Sequence, residues 1–198
     1  MTHAATVSAV SDATGHQPVM AAEALAGLAL KPAGRYIDAT FGRGGHSRLI
    51  LEGLSDDGRL LAFDRDPQAV AVGAALAAAD ARFEIRRANF ADIDAGLDAA
   101  SWDGVLFDFG VSSPQLDQPE RGFSFLRDGP LDMRMDPDSG VSAAQWLAEV
   151  SEFELARVLH EYGEEPQSRR LARAIVAWRA EQPFERTLQL ADFVAGIL

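Results

Sequence analysis

The sequence predicts an α/β fold in which a parallel, doubly wound sheet is followed by a small helical subdomain. In the first half of the chain, β-prone runs alternate with helical patterns, which is typical of βαβ units. Residues 110–141 then hold prolines and glycines without clear periodicity, and loops of this length are often functional. From Ser142 onward the signals are helical.

Four strands are predicted in the first half. They lie at 35–40, 60–64, 83–86 and 105–109. A lead-in helix is expected at 18–30, before the first strand. The next helix buries a face that includes Leu49 and Leu54, and Pro67 begins an alanine-rich helix after the second strand. The run 105–109 is almost wholly apolar, so we expect a strand buried on both faces.

The last third of the chain contains four predicted helices. They lie at 142–149, 151–162, 167–181 and 188–196. Ser142 with Gln145, and Ser151 with Glu154, have the spacing of capping boxes at two of the helix starts.

The composition is that of a soluble globular protein. The 198 residues are 47% apolar and 24% charged, which excludes a wholly disordered or collagen-like chain. No apolar run approaches the roughly 20 residues of a membrane-spanning helix, and the first fifteen residues do not resemble a signal peptide. Without cysteine there is no disulfide framework and no thiolate metal site. We expect a cytoplasmic protein without a membrane partner.

The charge balance disfavours nucleic-acid binding through the overall field of the protein. Thirty acidic and 18 basic residues give a net charge of −12, so any such role needs a local basic patch. One basic helical face carries Arg169, Arg170, Arg173 and Arg179. These arginines could bind RNA phosphates. The alternative is an ordinary solvated face in which the arginines form ion pairs with Glu164 and Glu165, which lie just before the helix.

A glycine-rich turn follows the first strand, with Gly42, Gly44 and Gly45 four to seven residues after Asp38. Glycines allow a sharp turn and the close approach of a ligand to the main chain and to the start of the next helix. The dinucleotide pattern G-x-G-x-x-G would need glycine where Ser47 stands. The turn predicts a ligand site, with a purely structural turn as the alternative.

Two residues suit the nucleoside part of such a ligand. Asp64 lies at the tip of the second strand, where a carboxylate accepts hydrogen bonds from ribose hydroxyls. Its alternative role is that of the acid at the next helix start, which Asp66 fits better. Phe90, after the third strand, either covers an adenine or fills the core.

The end of the fourth strand carries further candidates. Asp108 stands among apolar neighbours, where an unpaired carboxylate is costly, so a functional role competes with a structural salt bridge. The turn that follows supplies the hydroxyls of Ser112 and Ser113 and the amide of Gln115. His46 has no partner at metal-ligand spacing, so we expect it to orient a ligand and expect no metal site.

Together, seven stretches resemble one family closely. They are HQPVM at 16–20, DATFGRGGHS at 38–47, FDRDPQAVAV at 63–72, WDGVLFDFGVSSPQLD at 102–117, ERGFSF at 120–125, GPLDMRMDP at 129–137 and YGEEPQSRRLARAI at 162–175. The family comprises the S-adenosylmethionine-dependent methyltransferases that modify the exocyclic N4 amine of a cytosine in bacterial small-subunit (16S) ribosomal RNA. The resemblance implies a Rossmann-like class I methyltransferase sheet with an inserted helical subdomain.

The resemblance also implies the site residues and the substrate. The cofactor contacts correspond to Gly44, Gly45, His46, Asp64, Phe90, Asp108 and Gln115. The substrate that the resemblance implies is small-subunit ribosomal RNA or the 30S particle. In the expected reaction the cytosine amine attacks the methyl carbon directly and displaces the sulfonium sulfur, and the acceptors of its hydrogens are expected at Asp108, Ser112 and Ser113.

The same resemblance implies a division of the chain. We expect a flexible tail at 1–15, the S-adenosylmethionine-binding domain at 16–118, an active-site loop at 119–141 and a helical substrate-recognition subdomain at 142–198. Family members continue beyond the position of Leu198, so we expect a truncated chain with an incomplete sheet of about four strands, marginal stability and a tendency to self-associate, for example as a homodimer. Two alternatives remain, an inert cofactor-binding fragment or scaffold and a nicotinamide-dependent oxidoreductase.

Overall fold

The computed structural model of the protein describes residues 18–94 and 97–198. They form two compact units, the first ending at Gly110 and the second spanning Val111–Leu198. The sequence-based boundary at 118/119 therefore lies eight residues beyond the observed division. The tail predicted at 1–15 lies outside the described residues.

The first unit is built on a four-stranded parallel sheet. Its strands are β1 (Arg35–Asp38), β2 (Arg59–Asp64), β3 (Phe83–Arg87) and β4 (Gly104–Leu106), in the order β3-β2-β1-β4. Its helices are α1 (Ala21–Leu28), α2 (Gly45–Gly53) and α3 (Pro67–Ala79), and short 3-10 turns lie at Phe90–Asp92 and Ala99–Ser101. The predicted α/β class and the parallel sheet are confirmed.

The two faces of this sheet are covered differently. On one face, Tyr36 and Leu60 pack with side chains of the helices, such as Ile50 of α2. On the other face, Ile37 and Leu61 belong to a smaller cluster, which is completed by residues of the segment between β3 and β4.

The fourth strand departs from the prediction. It is three residues long, and Val105, Phe107 and Phe109 are 43%, 42% and 71% exposed rather than buried on both faces. The reason is its place at the edge of the sheet, where it pairs with β1 alone among the described strands. Val105 is aligned with Ile37 and so points to the thinly covered face.

The second unit is helical. It contains α4 (Ser113–Asp117), a 3-10 turn at Pro119–Arg121, α5 (Ala143–Glu149), α6 (Glu152–Glu161), α7 (Ser168–Arg179) and α8 (Thr187–Ala195). The four predicted helices of the last third are all present, within two residues of their predicted ends. Their core includes Leu131, Leu147, Leu155, Leu171 and Ile175.

Helix capping explains two of these starts. Ser142 and Gln145 form the predicted capping box. Ser151 accepts a hydrogen bond from the N–H of Glu154, whose carboxylate instead pairs with Arg157. Both helices therefore begin at the residue after the serine.

The segment at 119–141 is anchored although it has little regular structure. The guanidinium of buried Arg121 donates to the carbonyl oxygens of Arg134 and Met135, at 3.2 and 3.0 Å. The N–H of Leu131 donates to the carbonyl of Glu185 at 2.8 Å. In the described part of the chain, no helix has the length and apolar character needed to cross a membrane.

Candidate cofactor site

The glycine turn between β1 and α2 forms the centre of the candidate site. Gly42 and Gly44 have φ values of 55° and 76°, in the left-handed region that glycine adopts readily. A Cβ on Gly44 would come within 2.6 Å of the Phe41 ring, whereas a Cβ on Gly42 would meet nothing closer than 4.0 Å. Within residues 18–94 and 97–198, no side chain caps the start of α2, so its first N–H groups remain available to a ligand. The predicted glycine turn before α2 is therefore present, and the cofactor-binding roles of Gly44 and Gly45 stay predictions.

Asp64 joins this turn to the end of β2. Its Oδ2 accepts a hydrogen bond from the N–H of Gly42 at 2.8 Å, and its Oδ1 accepts one from the N–H of Asp66 at 2.9 Å. Each carboxylate oxygen has a second lone pair, so the half-buried side chain keeps the acceptor capacity that ribose hydroxyls require. Burial raises the pKa of Asp64, and the hydrogen bonds from Asp66 and Gly42 oppose that rise.

Asp66 fills the other role that the sequence considered for this segment. Its carboxylate accepts a hydrogen bond from the N–H of Gln68 at 2.9 Å and caps α3, which begins at Pro67. The assignment of Asp66 as the helix-start acid is confirmed, and Asp64 is not used in that way.

Below the turn lies a buried polar pair that sequence reasoning did not identify. Ser47 Oγ donates to Asp38 Oδ2 at 2.6 Å, and the N–H of Thr40 donates to Asp38 Oδ1 at 3.1 Å. Asp38 is 1% exposed and Ser47 is fully buried. Burial raises the pKa of Asp38, and the hydrogen bond from Ser47 is the largest opposing effect. The sequence signal for this pair was Ser47, which stands where the dinucleotide-binding pattern has its third glycine.

His46 lies between the start of α1 and the end of β4. Its Nε2 is 3.0 Å from the carbonyl oxygen of Val19, and its Nδ1 is 3.6 Å from Oδ2 of Asp108. Because a carbonyl oxygen only accepts hydrogen bonds, Nε2 must carry a hydrogen. The ring is buried, with 8% exposed. The structure therefore brings together His46 and Asp108, two predicted site residues.

Asp108 is not in the apolar setting expected from its neighbours. Its side chain is 47% exposed, because successive residues alternate sides and Phe107 and Phe109 point the other way. Its N–H donates to Oγ1 of Thr40 at 2.7 Å, and the carbonyl of Leu106 accepts from the N–H of Ala39 at 2.9 Å. Thr40, which sequence reasoning missed as a site residue, thus fixes the backbone that carries Asp108.

Phe90 packs in an aromatic cluster at the same end of the sheet. Its ring centroid is 6.0 Å from that of Phe107 and 5.5 Å from that of Phe109. Phe90 is 39% exposed, so the alternative of a core-filling side chain is wrong. Its role against an adenine stays a prediction.

Three predicted site residues belong to the second unit. The N–H of Ser112 donates to Oε1 of Gln115 at 2.9 Å, in a capping box at the start of α4. Gln115 is 6% exposed. Ser113 is the first residue of α4. The Ser-x-x-Gln spacing, which correctly predicted the start of α5, was the signal for this structural role. The roles of Ser112, Ser113 and Gln115 toward a ligand remain untested predictions.

Comparisons with known proteins identify relatives over nearly the whole chain. The Ribosomal RNA small subunit methyltransferase H of Xylella fastidiosa (strain M12) is 57% identical over 183 residues, which are 92% of this chain and 58% of that protein. The protein of the same name from Xanthomonas euvesicatoria pv. vesicatoria (strain 85-10) is 58% identical over 183 residues, 92% of this chain and 54% of that protein.

The chain thus spans a little over half the length of the curated relatives it matches. The sequence profile of the MraW methylase family matches residues 13–198. That match includes the glycine turn, Asp64, the aromatic cluster and Asp108, as well as the whole second unit. The chain belongs to the MraW methylase family.

Proposed function

We propose that this chain binds S-adenosylmethionine and takes part in the transfer of its methyl group to the N4 amine of a cytosine in small-subunit ribosomal RNA. The observation that carries the proposal is Asp64, held by Gly42 of the glycine turn at 2.8 Å with acceptor capacity to spare. The names of the two relatives from Xylella and Xanthomonas support the substrate. Membership of a methylase family favours this function over a nicotinamide-dependent oxidoreductase.

The residues at the carboxyl end of the sheet fit the cofactor. Asp64 would hold the ribose hydroxyls, and the open side of Gly42 leaves room beside this carboxylate. Gly44 and Gly45 would present backbone groups at the start of α2. Phe90 would lie against the adenine. Together with Asp108 and His46 near the methionine end, these are the cofactor contacts we propose in the first unit, and Gln115 is the one we propose in the second.

The reaction depends more on alignment of the cytosine amine with the methyl carbon than on a strong base. When bound, S-adenosylmethionine supplies an electrophilic methyl carbon attached to a positively charged sulfur. The cytosine amine is a weak nucleophile because its lone pair is delocalised into the ring. We assign to Asp108 the task of accepting a hydrogen bond from that amine and so holding it in line with the methyl carbon. Its exposed carboxylate and its backbone bond to Thr40 support this role.

Ser112 and Ser113 are the further acceptors that we propose for the amine hydrogens. The segment 119–141 is proposed as an active-site loop, and the helices of 142–198 as the substrate-recognition part. The target base has to be reached in a single-stranded or locally opened stretch, because a stacked base cannot enter such a pocket. A cytoplasmic location and action on the 30S particle or its RNA follow from the proposed substrate, and a homodimer is the oligomeric state to test.

Two measurements test this function. Calorimetric titration of the 198-residue chain with S-adenosylmethionine should give saturable binding, and titration with NAD should give none. Transfer of radiolabelled methyl groups to unmodified small subunits should occur with the chain extended to the length of its relatives. Binding without transfer by the extended protein would support the inert fragment instead, and NAD binding would favour the oxidoreductase.

A further inference from the structure

Helix α7 carries a charge that is opposite to that of the protein. The 198 residues have a net charge of −12, yet α7, with the sequence SRRLARAIVAWR, contains four arginines and no acidic residue. An ordinary solvated helix face mixes the two signs, because acidic and basic residues three or four positions apart stabilise each other. The absence of acids from this helix therefore needs another explanation.

Three of the arginines share one exposed face. Arg169, Arg170 and Arg173 are all exposed and fall within an arc of about 100° around the helix axis. The opposite side is buried in the core of the second unit. It consists of Ser168, Leu171, Ala172 and Ile175. We call the three exposed residues the α7 arginine face.

Arg179, the fourth arginine, has a different role from the one the sequence suggested. Its Nη1 donates to the carbonyl oxygen of Leu147 at 2.5 Å, which ties the end of α7 to α5. It is half-buried and does not belong to the α7 arginine face.

The arginine face has few partners of its own. Within the described residues, the side chain of Arg169 makes no hydrogen bond or ion pair, and the side chain of Arg170 donates only to the amide oxygen of Gln167, at 2.8 Å. Arg173 lies 3.5 Å from a carboxylate oxygen of Glu152 and keeps 77% of its side chain exposed. This pair is weak, because an exposed ion pair contributes little.

The acids ahead of the helix do not neutralise this face. Glu165 accepts a hydrogen bond from the N–H of Gln167 at 2.6 Å. In the part of the chain that the structure describes, neither Glu164 nor Glu165 forms an ion pair with Arg169 or Arg170. The alternative of a paired face is therefore wrong for these two acids. The other arginines of the second unit all bind carboxylates or carbonyl oxygens: Arg121, Arg127, Arg134, Arg157 and Arg186.

This arrangement is unfavourable for the helix by itself. Arg169 and Arg170 lie in the first turn, where the helix dipole disfavours cations, and Arg173 repels both from the next turn. A polyanion would remove both costs. Guanidinium groups bind phosphate oxygens through paired N–H donors, which makes arginine well suited to a nucleic-acid backbone.

We propose that the α7 arginine face binds phosphate groups of the RNA substrate. The inference rests on the proposed function for the identity of the polyanion, and it deepens that function by naming a surface that positions the RNA. Phosphate contacts of this kind fix orientation and affinity without reading the base sequence.

The salt dependence of RNA binding tests the inference. Fluorescence anisotropy would follow the binding of labelled, in vitro transcribed small-subunit RNA to the 198-residue chain at several salt concentrations. Each phosphate contact contributes about 0.7 to the slope of log K against log salt for single strands. The double variant Arg169→Gln/Arg170→Gln should lower the slope by about 1.4 and weaken binding about 25-fold at 0.1 M salt. Arg173→Gln should act in the same direction, by less.

The matched control is Arg59→Gln/Arg86→Gln, which removes the same two charges from exposed positions on β2 and β3. The control should keep the parent slope, and Arg169→Lys/Arg170→Lys should keep most of the affinity. If both double Gln variants changed the slope and the affinity equally, the effect would come from the net charge of the protein and not from the α7 arginine face, and the inference would be overturned. An unchanged slope in both, or a parent chain that does not bind RNA, would also overturn it.

Binding of S-adenosylmethionine to the same variants separates the two proposals. The arginine variants should bind the cofactor like the parent, and their thermal unfolding should match that of the control. If the parent does not bind the cofactor while the arginine variants lose RNA affinity, the proposed methyl transfer is contradicted and the inference about the α7 arginine face is supported. If the parent binds the cofactor and the arginine variants bind RNA as tightly as the parent, the inference about the α7 arginine face is overturned and the proposed function is not.

Discussion

The hydroxyl of Ser47 donates a 2.6 Å hydrogen bond to the buried carboxylate of Asp38, and so joins the first turn of α2 to the end of β1. The two residues enclose the glycine turn, which leaves β1 after Asp38 and enters α2 at Gly45. A buried carboxylate is costly unless donors surround it, and here the donors are Ser47 and the N–H of Thr40. The pair therefore supports the turn that we propose to hold the cofactor.

Ser47→Ala should destabilise the protein by about 1–3 kcal/mol, because it leaves one oxygen of a buried carboxylate without its side-chain donor. Denaturant unfolding at neutral pH would measure the loss. Ser55→Ala is the control, since the Ser55 hydroxyl donates to the carbonyl of Pro32 from an exposed position. A loss no larger than that of Ser55→Ala would mean that the bond to Asp38 contributes little.

Asp38→Asn should change the pH dependence of stability. Burial raises the pKa of Asp38 above its ordinary value of 3.8, so the ionised side chain opposes folding at neutral pH. That cost is relieved as the pH falls through the raised pKa, and it is absent below 3.8. The stability of Asp38→Asn relative to the parent should therefore be most favourable at neutral pH and decline toward pH 4.

Unfolding curves of both proteins between pH 4 and neutrality would show this trend. Asp57→Asn, at an exposed turn before β2, is the surface control for the same substitution. A difference between Asp38→Asn and the parent that does not vary with pH would contradict the expectation.

Asp64→Asn should weaken S-adenosylmethionine binding by about 1–3 kcal/mol, or about 5- to 150-fold in Kd. The amide nitrogen that replaces one carboxylate oxygen cannot accept hydrogen bonds, so the N–H of Gly42 or of Asp66 loses its acceptor, and so does the ribose hydroxyl expected at that oxygen. Asp66→Asn is a close control, because asparagine also caps helices and Asp66 caps α3. Calorimetric titration that gives equal affinities for both variants would remove Asp64 from the ribose role.

Much of this site could be predicted from the sequence because its parts are local. The glycine turn, the position of Asp64 and the capping role of Asp66 each depend on neighbours within a few residues. The Ser47–Asp38 and Thr40–Asp108 bonds could not be predicted in this way, since they depend on how α2 and the end of β4 approach β1. For β4, an apolar run shows a preference for burial but does not show which neighbours supply it.

Asp108→Asn should leave the fold intact and lower methyl transfer about 100-fold or more, because it removes a charged acceptor from the proposed position of the amine. Among the described residues of the first unit, the exposed carboxylate contacts only His46, at 3.6 Å. The measurement is single-turnover transfer in a chain extended to the length of its relatives. Thr40→Val should give a smaller loss, since the side chain of Asp108 remains and only its backbone support is removed. Transfer by Asp108→Asn at the parent rate would make Asp108 dispensable.

The exposed apolar side chains of β4 and the segment after it should make the 198-residue chain self-associate. Val105 of the edge strand β4 is followed by exposed Phe107 and Phe109, and Phe90 extends this apolar patch. An edge strand beside such an apolar patch favours pairing with another copy. Light scattering should therefore give a mass above that of the monomer, rising with concentration.

The double variant Val105→Lys/Phe109→Ser should return the mass to the monomer value, because a lysine on an edge strand opposes pairing and the serine removes the most exposed ring of the patch. Phe153→Ser, at an even more exposed position on α6 outside this patch, should change nothing. A parent chain that stays monomeric at every concentration would show that the patch is too small to drive association.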